Sequence, residues 1–170
     1  MPETSIDTLV LGAGAAGMMC AIHAASRGGQ VLIIDHARKP GEKIRISGGG
    51  RCNFTNLNTA PHNFISGNPH FAKSALKRYT QHDFVTLVQQ HGIAFHEKTL
   101  GQQFCDKSAK DVIALLLEEM KPAELELQTT VSKITKTGDG FTLDFEDGRQ
   151  AKAENLVIAT GGKSIPKMGA

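Results

Sequence analysis

The stretch Ile6-Asp-Thr-Leu-Val-Leu11 leads into Gly12-Ala-Gly14-Ala15-Ala16-Gly17, and after an alanine-rich run the chain reads Val31-Leu-Ile-Ile-Asp35. A short apolar strand, a Gly-x-Gly-x-x-Gly turn, a helical run and a second apolar strand closed by an acid make a βαβ unit with a dinucleotide fingerprint. Gly12 allows the tight turn out of the strand, Gly14 lets a pyrophosphate approach the backbone, and Gly17 lets the helix pack closely on the sheet. The helix that opens with Ala15 and Ala16 offers its first N–H groups, and the positive end of its dipole, to the phosphates. Asp35 stands where an acid accepts hydrogen bonds from a ribose hydroxyl. An acid there also repels a 2′-phosphate, which argues against NADP at this site. By itself the glycine pattern marks only a glycine-rich turn in some α/β protein; the whole strand–turn–helix–strand–acid frame gives it meaning.

Composition bounds the rest. A chain of 170 residues, 40% hydrophobic and 21% charged, reads as one ordinary globular domain. The formal net charge is +2, and the lysines and arginines look scattered, so no nucleic-acid partner is expected. Cys20, Cys52 and Cys105 form no Cys-x-x-Cys and no Cys/His cluster of zinc spacing, so no metal is expected. An odd cysteine count without a signal peptide predicts a cytoplasmic protein. No apolar run is long enough to span a bilayer, so no membrane partner is expected. His23 reads as a solvated helix residue.

After Asp35 and His36 comes Ala-Arg-Lys39-Pro-Gly41-Glu-Lys43-Ile-Arg45-Ile-Ser47-Gly48-Gly49-Gly50-Arg51-Cys52-Asn53-Phe-Thr55-Asn56. Three consecutive glycines after a serine make no stable helix or strand. They suit a loop whose backbone N–H groups point at a ligand. Lys39, Lys43, Arg45 and Arg51 set cations beside it, and Asn53, Thr55 and Asn56 add neutral hydrogen-bonding groups. On composition alone a flexible charged surface loop is an equal reading; the position just after the ribose acid favours cofactor contact.

Gly-Ala-Gly-Ala-Ala-Gly followed by Lys43-x-x-x-Ser47-Gly-Gly-Gly-Arg-Cys-Asn53-x-Thr55-Asn56 resembles the BaiN/YhiN-like FAD-dependent oxidoreductases, also called aminoacetone-oxidase-like flavoproteins. The resemblance implies FAD as cofactor, with Ser47, Gly48, Gly49, Gly50, Arg51, Cys52 and Asn53 running along it toward the isoalloxazine. His36 and Lys43 join Asp35 among the implied contacts. The family pattern Phe-Pro-x-Ser is met here by Phe104-Cys105-Asp106-Lys107-Ser108, with Cys105 in place of proline. Cys105 has no activating partner in sequence and reads as a packed thiol. Cys52 is a possible redox thiol, but no second cysteine pairs with it in sequence.

Helices are expected over Ala15 to Arg27, with Met18, Met19 and Ile22 toward the sheet, over Phe71 to Tyr79, over Asp83 to His91 with Thr80 as cap, and over Ala109 to Met120. The last buries Val112, Leu115 and Leu116. Glu124 to Val131 reads as a sheet strand. Period-two alternation with Asp-Gly turns then predicts a three-stranded meander over about 131–154, and Asn155 to Ala159 reads as a further strand ending in Thr160-Gly161-Gly162. A meander there resembles two-dinucleotide-binding flavoproteins of the glutathione-reductase type. That resemblance implies that Val131 holds adenine through its backbone and that Ala159, Thr160 and Gly161 approach the nucleotide half of FAD.

The expected class is therefore α/β: a Rossmann-like FAD/NAD(P)-binding domain over residues 1–170, with a parallel sheet and a β-meander crossover. The resemblance also implies a longer protein, so that a C-terminal strand and a substrate domain are missing and the chain alone binds FAD weakly and turns over little. The expected function is the FAD-binding portion of a flavin oxidoreductase, with hydride passing through flavin N5, NAD(P)H as partner in the intact protein and a small-molecule substrate. No catalytic side chain is identifiable. An NAD-dependent dehydrogenase domain and a non-catalytic nucleotide-binding module are the rival readings, and a methyl- or tRNA-modifying flavoprotein is a weaker third.

Overall fold

The computed structural model describes residues 6–162; the Met1–Ser5 tail and the Lys163–Ala170 string, with the readings made of them, lie outside the described residues. In chain order the elements are β1 (Ile6–Leu11), α1 (Ala15–Ala25), β2 (Val31–Ile34), α2 (Glu42–Ile46), β3 (Asn53–Asn56), α3 (Lys73–Arg78), α4 (Gln81–Gln90), β4 (Phe95–Glu97), β5 (Gln102–Cys105), α5 (Ala109–Glu119), β6 (Glu124–Glu126), β7 (Val131–Thr137), β8 (Gly140–Phe145) and β9 (Gln150–Ile158). They fall into two compact units: the described residues up to Lys43 together with those from Leu116 onward, and residues Ile44–Leu115.

The first unit is built on one mixed sheet of order β6-β2-β1-β9-β8-β7. The β6, β2, β1 and β9 strands run parallel, while β9, β8 and β7 pair antiparallel as the meander. This is the expected α/β class, a parallel sheet with a β-meander crossover. All four residues of β2 are buried, as suits a strand inside a parallel sheet. Leu9, Leu32, Ile34, Leu143, Phe145 and Ala153 form a core cluster, with Ile6, Leu11, Val131, Phe141 and Leu156 packed against it.

Three details differ from expectation. The third meander strand and the strand from Asn155 are one element, β9. Its start pairs with β8 (Phe141↔Ala153), and its remainder pairs with β1 (Ile6↔Ala153, Leu9↔Leu156). No glycine or proline interrupts it, and the small Ala153 serves both neighbours; a Cβ on Gly140 would stand 2.3 Å from the Ala153 carbonyl oxygen. Second, β6 stops at Glu126 because Gln128 turns with φ 56°; Gln128 and Thr129 then donate their N–H groups to the Ala37 and Asp35 carbonyls. Third, α1 buries Gly17, Met18, Ala21 and Ala25, leaving Met19 and Ile22 half-buried. Small residues one helical turn apart let the helix axis approach the sheet.

The second unit holds an antiparallel sheet of order β3-β5-β4. Phe54 of β3 packs against Phe84 of α4 and Phe95 of β4, with ring centroids 5.9 and 5.4 Å away. The expected cap on α4 is present: the Thr80 hydroxyl accepts from the Asp83 N–H, and the Asp83 carboxylate accepts from the Thr80 N–H. The Val112, Leu115 and Leu116 stripe of α5 is buried as expected.

Leu143 is fully buried at the centre of the first unit's core. Truncation by Leu143→Ala is expected to cost about 3 kcal/mol, read as a lower urea midpoint at unchanged slope. Lys136→Ala on the exposed β7 edge is expected to leave the midpoint in place.

Candidate dinucleotide-binding site

The carboxyl ends of β1, β2 and β9 meet in the first unit. Gly12 donates its N–H to the Ile34 carbonyl at 2.7 Å, and Ala159 donates to the Leu11 carbonyl at 2.8 Å. A Cβ on Gly12, whose φ is +112°, would lie 2.5 Å from the Ala159 carbonyl oxygen. The chain leaves β1 toward β2 on one side and returns through the meander to β9 on the other. This is a topological switch point, the place where open α/β sheets bind ligands. Gly12, Ala159, Thr160 and Gly161 are thereby brought together, as the two glycine motifs imply.

Each remaining fingerprint residue has a distinct environment. A Cβ on Gly17 would stand 1.8 Å from the Gly12 carbonyl oxygen, so this glycine is required by the turn itself. A Cβ on Gly14 would meet nothing within 4 Å, and Gly14 has an ordinary extended backbone (φ −85°, ψ −173°). Nothing in the fold demands a glycine there; the space beside it is open. α1 starts at Ala15 and Ala16 with no side-chain cap and no acid in its first turn, so its leading N–H groups have no anionic side chain of their own.

Asp35 is tied to that turn. Its Oδ2 accepts the Ala13 N–H at 2.7 Å and its Oδ1 accepts the Ala37 N–H at 2.9 Å. Gly41 donates to the Ala13 carbonyl at 2.8 Å, and Thr129 donates to the Asp35 carbonyl at 3.0 Å. Ala13, Gly41 and Thr129 were not singled out from the sequence. No motif marks them, because all three act here through backbone N–H or C=O groups. His36 places Nδ1 3.4 Å from Asp35 Oδ1 with its ring exposed. The Lys43 ammonium donates to the Gly162 carbonyl and stands where a Cβ on Gly161 would be 3.3 Å from Nζ. Val131 opens β7 opposite Phe145, at a register shift that ends by Lys133.

In the second unit, Ser47 to Asn53 is a tight left-handed turn followed by a strand, and not an open loop. Gly48, Gly49 and Gly50 have φ of 57°, 66° and 85°, and Cys52 has 53°. A Cβ on Gly48 would collide with the Phe104 ring at 2.6 Å, whereas Gly49 has open space. The Ser47 hydroxyl donates to the Ile44 carbonyl, and the Cys52 N–H donates to the Ser47 carbonyl. The Arg51 N–H also turns back, onto the Gly48 carbonyl. The Arg51 carbonyl accepts the Cys105 N–H at 3.0 Å.

That last bond adds what sequence spacing did not show: Cys105 lies near Cys52 in space, although the two form no disulfide. The pairing Asn53↔Phe104 between β3 and β5 brings Cys105 near enough for the two thiols to affect each other's ionisation. Both are free and buried. Burial pushes the Cys52 thiol up, partly offset by its hydrogen bond with Ser47. Burial, with the Cys52 thiol and the Asp111 and Asp106 carboxylates adding, pushes Cys105 up to about 12. Neither thiol is an activated nucleophile at neutral pH. Among the described residues no His/Cys/Asp/Glu group has the makings of a metal site, and no helix is long and apolar enough to cross a membrane.

Two outcomes follow from these contacts. Asp35→Ala strands the N–H of the fully buried Ala13, and is expected to cost about 1–3 kcal/mol by urea denaturation without added cofactor. The raised thiol values mean that the unfolded chain loses its thiol protons first. The thiol contribution to stability is complete below the ordinary value of 9.0 and is lost above it as pH climbs toward the folded Cys105 value of about 12. Stability is expected to fall from about pH 8 to about pH 10.5 in denaturation series, and to fall less steeply in Cys105→Ala.

Over 166 residues the chain is 52% identical to the ribosomal RNA dihydrouridine synthase of Escherichia coli (strain K12), covering 96% of this chain and 41% of that protein. It is 29% identical over 166 residues to the 3-dehydro-bile acid delta(4,6)-reductase of Clostridium scindens, covering 94% of this chain and 40% of that one. The chain thus spans about two-fifths of the length of these relatives. Among solved structures it is similar in fold to the 3-ketosteroid-delta4-(5alpha)-dehydrogenase from Rhodococcus jostii RHA1, with TM-score 0.63 and 16% identity over 92% of this chain and 46% of that chain. Residues 6–170 match the HI0933-like protein Rossmann domain, and the chain belongs to that family.

Proposed function

We propose that this chain is the FAD-binding part of a flavin-dependent oxidoreductase that saturates a carbon–carbon double bond conjugated to a carbonyl, with uridine in ribosomal RNA as substrate and NAD(P)H as reductant of the intact protein. One observation carries the cofactor reading: the open space at Gly14, beside uncapped helix N–H groups and next to a carboxylate. The residues fit an adenine dinucleotide. The leading N–H groups of α1, with the open space at Gly14, would hold the pyrophosphate. Asp35 gives each carboxylate oxygen one backbone donor and keeps further lone pairs for a ribose hydroxyl. Assignment of Ser47, Gly48, Gly49, Gly50, Arg51, Cys52 and Asn53 to the cofactor, and of Val131 to adenine, rests on the resemblance of their motifs. FAD, when bound, supplies hydride chemistry at flavin N5.

The reaction class is supported by the relatives' names. A dihydrouridine is a uridine whose 5,6 double bond is reduced, and a delta(4,6)-reductase reduces double bonds in an unsaturated steroid. Both names describe reduction of a carbon–carbon double bond. The scattered cations of the sequence gave no reason to expect an RNA partner; the 52% identity to an RNA-acting relative does. Cytoplasmic location belongs to the same reading.

The test is FAD addition to the purified chain, desalting, and a visible spectrum, with Gly14→Ala alongside. The parent is expected to bind added FAD by titration and to lose part of its flavin band on desalting, as weak binding requires. Gly14→Ala is expected to bind FAD at least about tenfold more weakly, about 1.4 kcal/mol, with an unchanged melting temperature. A parent that stays colourless and shows no FAD binding by titration, but is stabilised by NADH, overturns the flavin reading in favour of an NAD-binding domain.

A further inference from the structure

From Ile44 to His82 the chain carries Arg45, Arg51, Lys73, Lys77 and Arg78 and the histidines His62, His70 and His82, with no aspartate or glutamate. The whole chain is only +2, so the remainder is net acidic. A charge this unevenly placed is a surface property that overall composition hides.

Within this run, residues 61–78 of the second unit gather cations, rings and histidines that are exposed. Lys73, Lys77 and Arg78 lie exposed on α3, and none makes an ion pair with a described residue. Lys73 and Lys77 are one helical turn apart and share a face. Just before them stand three apolar side chains in water: Ile65 is 99% exposed, Phe71 53% and Phe64 40%. Phe64 and Phe71 hold each other edge to face, with centroids 6.4 Å apart, so they form one aromatic platform. His62 and His70 are exposed beside them.

We infer that this cationic and aromatic surface docks RNA, the polyanion that the reading above names as substrate; the choice of partner rests on that reading. Unpaired cations without nearby acids release counterions when phosphates arrive. Exposed rings stack on unpaired bases, which are what proteins recognise in RNA loops and ends. A lipid surface fits less well. The rings are interleaved with Asn63, Ser66 and Asn68, whereas bilayer binding needs a continuous apolar helix face.

The test is filter binding of the 170-residue chain to a ribosomal RNA fragment across a salt series. The triple variant K73E/K77E/R78E is expected to lose at least about tenfold in affinity, and its log K against log salt to be shallower by about 2–3. The neutral triple K73Q/K77Q/R78Q is expected to move the same way by less. Phe71→Ala is expected to weaken binding several-fold at unchanged salt slope. K133E/K136E on β7, a charge change of the same sign outside residues 61–78, is expected to behave as the parent. Melting temperature and flavin retention are followed in each variant. Both triples binding RNA as the parent does overturns the inference. So does an affinity for anionic phosphatidylglycerol vesicles that the triples abolish while RNA binding is untouched. A parent chain that binds no FAD sinks the preceding proposal, yet leaves this one standing if the triples still abolish RNA binding.

Discussion

The first unit depends on a carboxylate with two grips. Asp35 closes β2 and accepts one N–H from inside the glycine turn, at Ala13, and one from its own following turn, at Ala37. A charge-assisted bond to a buried amide is stronger than a neutral one, and here it ties the end of one strand to the loop of its neighbour. Gly41 and Thr129 add backbone bonds to Ala13 and Asp35. The acid that the motif assigns to a ribose is also the fastener of the glycine turn.

The same economy governs the glycines. Gly12 and Gly17 are demanded by protein atoms, since a Cβ on either would overlap a backbone carbonyl. Gly49 has open space but a left-handed φ that itself favours glycine, whereas Gly14 has open space and an ordinary backbone. A glycine required by its neighbours or by its φ speaks about folding; a glycine with neither demand, as at Gly14, leaves room for what approaches from outside. Gly48 shows the first kind inside the second motif, pressed on the Phe104 ring. Motif glycines therefore divide by what a Cβ would touch, a distinction invisible in the pattern.

Between β2 and the return of the chain at α5, the second unit contributes a different surface. Its small sheet is held by aromatic packing around Phe54 and carries two buried, protonated thiols. Its Ile44–His82 part gathers cations without acids. An overall charge near zero thus conceals a basic face and an acidic remainder, which is how the chain escapes a composition-based reading of its partners.

Much of the first unit was legible in the sequence because local physics wrote it there. Period-two alternation with Asp-Gly turns gave the meander, the glycine spacing gave the strand-to-helix turn, and Thr80 with Asp83 gave a cap satisfied within four residues. The α5 stripe was readable because helical spacing needs no long-range partner to declare itself. What lay outside the sequence is long-range. That β9 is one strand serving two neighbours depends on Ala153 lying between Phe141 and Ile6. That β6 ends at Glu126 depends on amides captured by Asp35 and Ala37. That Cys52 has Cys105 beside it depends on a strand register joining segments distant in sequence. Residue types and spacings determined which elements form and which ligand chemistry they suit; the tertiary structure alone decided which backbone donors, thiols and exposed rings share a neighbourhood, because register and close approach are set by packing between distant segments.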